Sequence, residues 1–335
     1  MINLTSSNSQ HLCNKLVVID GIPGCGKTML SAIISSLSRV ELLKYSYETE
    51  NYCQLFDLNL IDRKTSSQLI RNQLNYLLYN NMMGREMNLR FTDISSVFKQ
   101  PNKIKNLKRL FLSGDKAVPI KIIKEDPILH LATHGLMGIS QPLFDAMPQG
   151  MLFINMKRHP LFLLRQNIWN MSNLINNQRS FWLYYEKNDK SNPFFYFENE
   201  KTFYDANSKE KAIYFIQWYL NKQRANSQIK NNPSYYELTF ESLVTDPDNH
   251  IFEICKRLGT LTTGLTPKIL KRENIPRKIL TDSRVRNIYK RVGWEKFKSN
   301  NIEDEYIEAR KWAYEGISET AKNILDLMCK EYEGK

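Results

Sequence analysis

The chain has 335 residues, 42% of them hydrophobic and 24% charged, which excludes a disordered, collagen-like or coiled-coil protein and is ample for one large α/β domain or two smaller ones. Forty-seven Lys and Arg against thirty-five Asp and Glu leave a net charge of +12, a balance that suits an anionic partner such as phosphate, sulfate, nucleic acid or an acidic glycan. Cys13, Cys25, Cys53, Cys255 and Cys329 are scattered, with no pair at metal-ligand spacing, so a disulfide scaffold is not expected and a reducing compartment is. The amino terminus lacks the basic start and apolar run of a secretory signal, and no apolar stretch approaches the ~20 residues of a membrane span. The expectation is a soluble, cytoplasmic protein.

The first element in chain order is a short buried strand, Lys15 to Asp20 (KLVVID), which runs straight into GIPGCGKT, Gly21 to Thr28. In the following MLSAIISSLSRV, Leu30, Ile33, Ile34 and Leu37 fall on one face of a helix. Strand, glycine loop and helix stand in the order of a P-loop. Three of the chain's 13 glycines lie within these eight residues, where they let the backbone curl so that successive N–H groups point at an anion. The helix N-terminus adds its positive end. Lys27 would neutralise the anion as a point charge, and Thr28 would offer its hydroxyl to the anion or to a metal.

A long polar segment separates this helix from Ile128. Its part from Lys99 to Lys124 is basic, with Lys103, Lys105, Lys108 and Arg109 close together, and reads as a solvated helix face rather than a specific anion site. Further strands are expected at Ile128 to Thr133, Met151 to Lys157 and Tyr235 to Phe240, each short, apolar and separated from the next by helical or irregular sequence. Strands alternating with helices indicate a mostly parallel sheet with ligands at the strands' carboxyl ends, which draws attention to Thr133, His134, Arg158 and Glu241. Ten aromatics between Phe181 and Tyr204 read as core before they read as an acceptor pocket for a sugar or phenol.

Nucleoside-triphosphate chemistry needs a second strand ending in Asp to hold magnesium. Asp20 ends the strand that feeds the loop itself, the strand from Met151 ends in Asn155, and Glu241 is a weak substitute. No Asp has Gly three positions later, and Glu186 stands where a guanine-reading Asn-Lys-x-Asp would need Asn. The loop is present without evident magnesium machinery, which suits a phosphate-like donor that needs no metal.

Taken together, the strand ends resemble the sulfotransferases that use 3′-phosphoadenosine 5′-phosphosulfate (PAPS). INMKRHP, Ile154 to Pro160, resembles the family's strand followed by Arg-x-Pro, and LATHG, Leu131 to Gly135, resembles its strand ending in Thr-His. TFESLVTDPDNHIFEICKRLG, Thr239 to Gly259, is similar to the family's Tyr-Glu-x-Leu-x-x-Asp-Pro segment, and Pro276 to Trp294 is similar to its basic carboxyl-terminal loop. The matches span nearly the whole chain in the family's order.

The resemblance implies an α/β fold, a P-loop three-layer α/β/α arrangement with a mostly parallel central sheet, in one domain over residues 1–335 with insertions around 50–125 and 165–230. It implies sulfuryl transfer from PAPS to a hydroxyl acceptor, a carbohydrate or small molecule, without a metal, a membrane span or a nucleic-acid partner. Lys27 would stabilise the leaving group together with the amides of Gly24, Cys25, Gly26 and Thr28. Arg158, with Gln166 eight positions on, would hold the 3′-phosphate, joined by Lys290 and Arg291, and His134 would be the general base.

The chain departs from the family where Gly24 replaces the loop's usual basic residue, Lys27 its first Thr, and Gln166 a Ser; the carboxyl-terminal loop lacks the usual Gly. The Lys27 arrangement equally matches an ATP- and magnesium-dependent kinase, and a non-catalytic nucleotide-binding module is a third reading. His134 alone reads as a buried histidine on backbone or as the base. His130 and His159 read as structural, His11 and His250 as surface residues, and Cys25, inside the anion loop, is expected to have a lowered thiol pKa.

Overall fold

The computed structural model describes residues 11–174 except 94, 113 and 115, residues 182–194 except 188, residue 203, residues 205–281, residue 299, and residues 301–334. Five strands form a parallel sheet: β1 (Lys15–Asp20), β2 (Val40–Tyr45), β3 (Ile128–Ala132), β4 (Met151–Lys157) and β7 (Tyr235–Thr239), in the order β2-β3-β1-β4-β7. β1 lies at the centre, with Val17 paired to His130 of β3 on one side and to Leu152 of β4 on the other. β5 (Tyr184–Lys187) and β6 (Lys190–Pro193) make a separate antiparallel hairpin.

Alternation along these strands divides the core into two layers. Val17, Ile19, Leu152, Ile154 and Met156 face one side, where they pack with α1 (Lys27–Ile34), α7 (Pro160–Leu174), α8 (Ser208–Ala225), α10 (Pro247–Leu258) and α13 (Glu319–Glu333). Leu16, Val18, Leu129, Leu131 and Phe153 face the other, against α3 (Arg63–Met83), α5 (Ala117–Glu125) and α6 (Gln141–Ala146). This is a three-layer α/β/α arrangement, and strands buried on both faces read in sequence as near-continuous apolar runs for that reason. The remaining helices are α2 (Tyr47–Asp57), α4 (Lys103–Lys108), α9 (Phe240–Thr245), α11 (Thr266–Glu273) and α12 (Ile302–Tyr314). None of the described helices is long and apolar enough to cross a membrane.

The structure differs from the sequence expectation after the phosphate loop. The helix ends at Ile34 instead of running through Leu37, and an unexpected edge strand, β2, follows at Val40. Serines break the helix: Ser36 Oγ donates to Ile33 O at 2.6 Å, competing with the helical ladder, and Arg39 takes a left-handed φ of 64° that turns the chain into β2. Leu37 stays buried with Leu30, Ile33 and Ile34, so the apolar spacing is real but continues into a turn. β2 leads through Ser46, whose hydroxyl caps α2, to two residues of the site, Tyr47 and Glu50.

The basic segment also differs in part. Lys103 and Lys108 are exposed, but Arg109 is buried and forks onto the buried Glu41 of β2, with Nη2 to Oε1 at 2.9 Å. Burial alone would push the Glu41 carboxyl up; the Arg109 bonds and charge, with Lys105, outweigh it and hold it below the usual range. This pair fastens the segment carrying Arg109 to β2 at the sheet edge.

Candidate functional site

The loop from Gly21 to Thr28 leaves β1 at the centre of the sheet's carboxyl edge and enters α1. Gly21, Gly24 and Gly26 all have positive φ, at 143°, 93° and 103°. Space demands glycine as well. A Cβ on Gly21 would stand 2.5 Å from Met156 O, one on Gly24 2.8 Å from Gln166 Cβ, and one on Gly26 2.5 Å from the Phe240 ring. The Cys25 amide donates to Ile22 O at 3.2 Å and the Lys27 amide donates to the Cys25 sulfur, while the amides of Gly24, Gly26 and Thr28 take no backbone partner among the described residues. Three such N–H groups on one glycine loop, at a helix N-terminus, form an anion nest. Lys27 is nearly buried and its ammonium donates to Gly21 O inside the same loop.

Cys25 does not serve this nest with its side chain. The thiol is fully buried in the core beneath the loop, and burial pushes it up, more than the Lys27 and Arg158 charges pull it down. That is opposite to the expected lowering, because the dominant effect is loss of water around a thiolate.

Arg158, just past β4, turns back to the loop. Its Nη1 donates to Gly24 O at 2.9 Å, and its guanidinium lies 3.9 Å from the Phe240 ring centroid. Gln166 of α7 packs against Gly24, with Nε2 3.5 Å from Asn170 Oδ1. The next residue, Asn167, donates from Nδ2 to Pro23 O at 2.9 Å. Arg158, Gln166 and the loop are therefore brought together, whereas Lys290 and Arg291 lie outside the described residues. A cavity of about 450 Å³ opens beside Arg158, walled also by Ile22, Leu163, Tyr219 and the end of α13.

On the other side of β1, Asp20 organises the loop that follows β3. Its buried carboxylate accepts from Thr133 Oγ1 at 2.7 Å and from the amides of Gly135, Leu136 and Met137 at 2.8–3.0 Å. His134 rides on this loop. Glu50 Oε1 accepts from the His134 amide at 3.1 Å and lies 3.0 Å from its Nδ1, and the imidazole stacks between Tyr45 and Tyr47, each with its centroid 5.7 Å away. A carboxylate only accepts, so Nδ1 carries the proton and Nε2 presents its lone pair. His134 shares with Ile22 and Pro23 of the loop a narrow hollow walled by Trp182, Phe194 and Trp218; at about 10 Å³ it holds no more than one water molecule.

The other histidines have different surroundings. His130 is fully buried beside Ser35, and burial lowers its pKa to about 3. His159 is buried between Tyr306 and Tyr332, with Nε2 3.1 Å from Glu333. Glu241, the weak metal candidate, accepts from the His159 amide at 3.1 Å and from Tyr332 at 2.6 Å.

Sequence reasoning missed Glu50, Tyr45, Tyr47, Asn167 and Phe240 as parts of this site. The one available signal, for all but Asn167 in the middle of α7, was their place at the ends of strands or at helix starts beside the sheet's carboxyl edge.

No protein-family model matches this sequence, and no curated protein does. Among solved structures the chain is similar to sulfotransferases. The sulfotransferase domain of the curacin biosynthetic pathway is 12% identical, over 97% of this chain and 99% of that one, with a TM-score of 0.45. Sulfotransferase STF9 from Mycobacterium avium is 13% identical, over 97% of this chain and 77% of that one, at 0.40. The sulfotransferase domain of the Synechococcus PCC 7002 olefin synthase is 13% identical, over 93% and 99%, at 0.37. Likeness at this level assigns neither donor nor acceptor, which must be argued from the residues.

Proposed function

We propose that the protein is a sulfotransferase that takes its sulfuryl group from PAPS and delivers it to a hydroxyl acceptor. The observation that carries this reading is the division of labour around one loop. Arg158 and Gln166 converge on Gly24 from one side, and His134, set by Glu50, shares a hollow with Ile22 and Pro23 on the other. The nearby carboxylates of Asp20, Glu50 and Glu241 already accept hydrogen bonds from the chain itself, which favours a donor handled by cations and amides.

The loop fits such a donor, because the amides of Gly24, Gly26 and Thr28 take no backbone partner among the described residues and the glycines let the loop pack closely on Gln166 and Phe240. Bound there, PAPS would supply a sulfuryl group on a phosphate leaving group. Lys27 and the amides of Gly24, Gly26 and Thr28 neutralise the charge that gathers on that phosphate, preorganised so that little reorganisation is needed. Thr28 holds a 5′-phosphate oxygen. Arg158 grips the 3′-phosphate with its planar fork, and the Gln166 amide adds a neutral donor. His134 Nε2 takes the acceptor hydroxyl's proton, and Glu50 stabilises the imidazolium that results.

The intact Gly-x-x-x-x-Gly-Lys-Thr favours one competitor, an ATP- and magnesium-dependent kinase. Calorimetric titration with adenosine 3′,5′-bisphosphate and with ATP, each with and without magnesium, separates the two. The sulfotransferase reading expects metal-independent binding of the bisphosphate, weakened in Arg158→Ala by ~2 kcal/mol, roughly thirtyfold. It is overturned if ATP binds only with magnesium and the 3′-phosphate adds nothing to affinity.

A further inference from the structure

We propose that the segment from residue 99 to 124 is a docking surface for an anionic lipid bilayer. These 26 residues carry seven Lys and one Arg against one Asp, a net +7 out of the chain's +12. The structure sorts the cations: Lys121 pairs with Glu125 and Lys99 donates to Thr92 O, and the other six fall into two groups. Arg109 and Lys105 point inward to Glu41 and hold the segment on the edge strand. Lys103, Lys108, Lys116 and Lys124 are exposed and make no ion pair among the described residues.

The same outer surface carries apolar side chains that a merely solvated helix face does not need. Ile104 is 66% exposed, Phe111 87%, Ile120 69% and Ile123 78%. On α5, Lys116, Ile120, Ile123 and Lys124 fall at i, i+4, i+7 and i+8, one outward stripe, while Val118 and Ile122 face the core at 2%. On α4, Ile104 and Lys108 stand one turn apart, and Lys105 Nζ lies 4.0 Å from Glu125, so the two helices adjoin. About half of the exposed large apolar side chains named among the described residues lie between Leu89 and Ile123, a concentration that single exposed residues do not explain.

Interleaved lysines and aliphatic side chains match one class of partner. A bilayer surface attracts the ammonium groups through anionic headgroups, while the apolar tips enter the boundary below them. Lysine suits this because its stem lies along apolar surface with the charge outward. Nucleic acid would call for arginine forks and aromatic stacking faces, of which this surface offers the single Phe111. At nine residues α5 is too short to span a bilayer and would lie on it.

The test is sedimentation of the full chain with phosphatidylcholine vesicles with and without phosphatidylserine. Binding that requires phosphatidylserine and weakens with salt is expected. Two variants, both confined to exposed positions, should each lower it roughly tenfold or more: the quadruple Lys103→Glu/Lys108→Glu/Lys116→Glu/Lys124→Glu, and the double Phe111→Ser/Ile123→Ser. The proposal is overturned if phosphatidylserine vesicles are not bound, or if the apolar double variant binds as well as the parent. It is also overturned if polyglutamate or an RNA oligonucleotide is held more tightly than the vesicles. No outcome depends on catalysis, so failure here leaves the sulfotransferase reading standing.

Discussion

Gly26→Ala probes the coupling between the phosphate loop and Arg158. Gly26 caps α1 at φ 103°, where an L side chain costs ~1–2 kcal/mol. The new methyl would stand 2.5 and 3.1 Å from two atoms of the Phe240 ring, so the ring must retreat by about 1 Å to reach ordinary carbon contact. Phe240 is 5% exposed and packed in the core, so that retreat costs a further ~1–3 kcal/mol. The sum, ~2–5 kcal/mol, is a large share of the stability of an ordinary domain.

The Arg158 guanidinium lies over the same ring, so the anion grip should loosen with it. Urea unfolding at constant slope measures the first effect, and titration with adenosine 3′,5′-bisphosphate the second. Adding Phe240→Leu should recover the packing part but not the backbone part, a coupling of ~1 kcal/mol or more in a double-mutant cycle. A Gly26→Ala protein within ~0.5 kcal/mol of the parent, or a cycle without coupling, would refute the reasoning.

Nitrogen-15 NMR of His134 at alkaline pH should show the proton on Nδ1, and Glu50→Gln should keep it there because one oxygen serves both the amide and the ring; a proton on Nε2 in the parent defeats the general-base assignment. Asp20→Asn replaces one acceptor oxygen by an amide facing a donor N–H, so ~2–3 kcal/mol of stability should be lost and the amides of Gly135 to Met137 should exchange faster; unchanged exchange there would contradict the role given to Asp20. His130 has a folded pKa of about 3 against an ordinary 6.5, so the unfolded chain binds the extra proton between those values. Stability from this group is therefore complete above pH ~6.5 and falls as pH drops, by ~4 kcal/mol near pH 3.5. His130→Gln should flatten that part of the acid-unfolding curve, and an unchanged curve would show that His130 is not responsible.

What the sequence by itself determined is local. The loop from Gly21 to Thr28 is legible because strand, glycines and helix are contiguous, and an anion nest is built from consecutive backbone amides. The strands at Ile128 and Met151 are legible because burial on both faces leaves apolar runs, while that at Tyr235, an edge strand with Glu237 exposed, shows mainly through its aromatic and apolar residues. The helix stop at Ile34 and the strand from Val40 were missed. Leu37 continues the helical spacing, and β2 carries Glu41, whose burial depends on Arg109, 68 positions further on. Glu50 bears no motif and gains its role only from His134, 84 positions away. Phe240 is an ordinary core residue until the sheet brings it beneath Gly26 and Arg158. Such pairings depend on sheet order and on which layer each helix joins. Those are set by packing among residues far apart in the chain, and only the tertiary structure decides them.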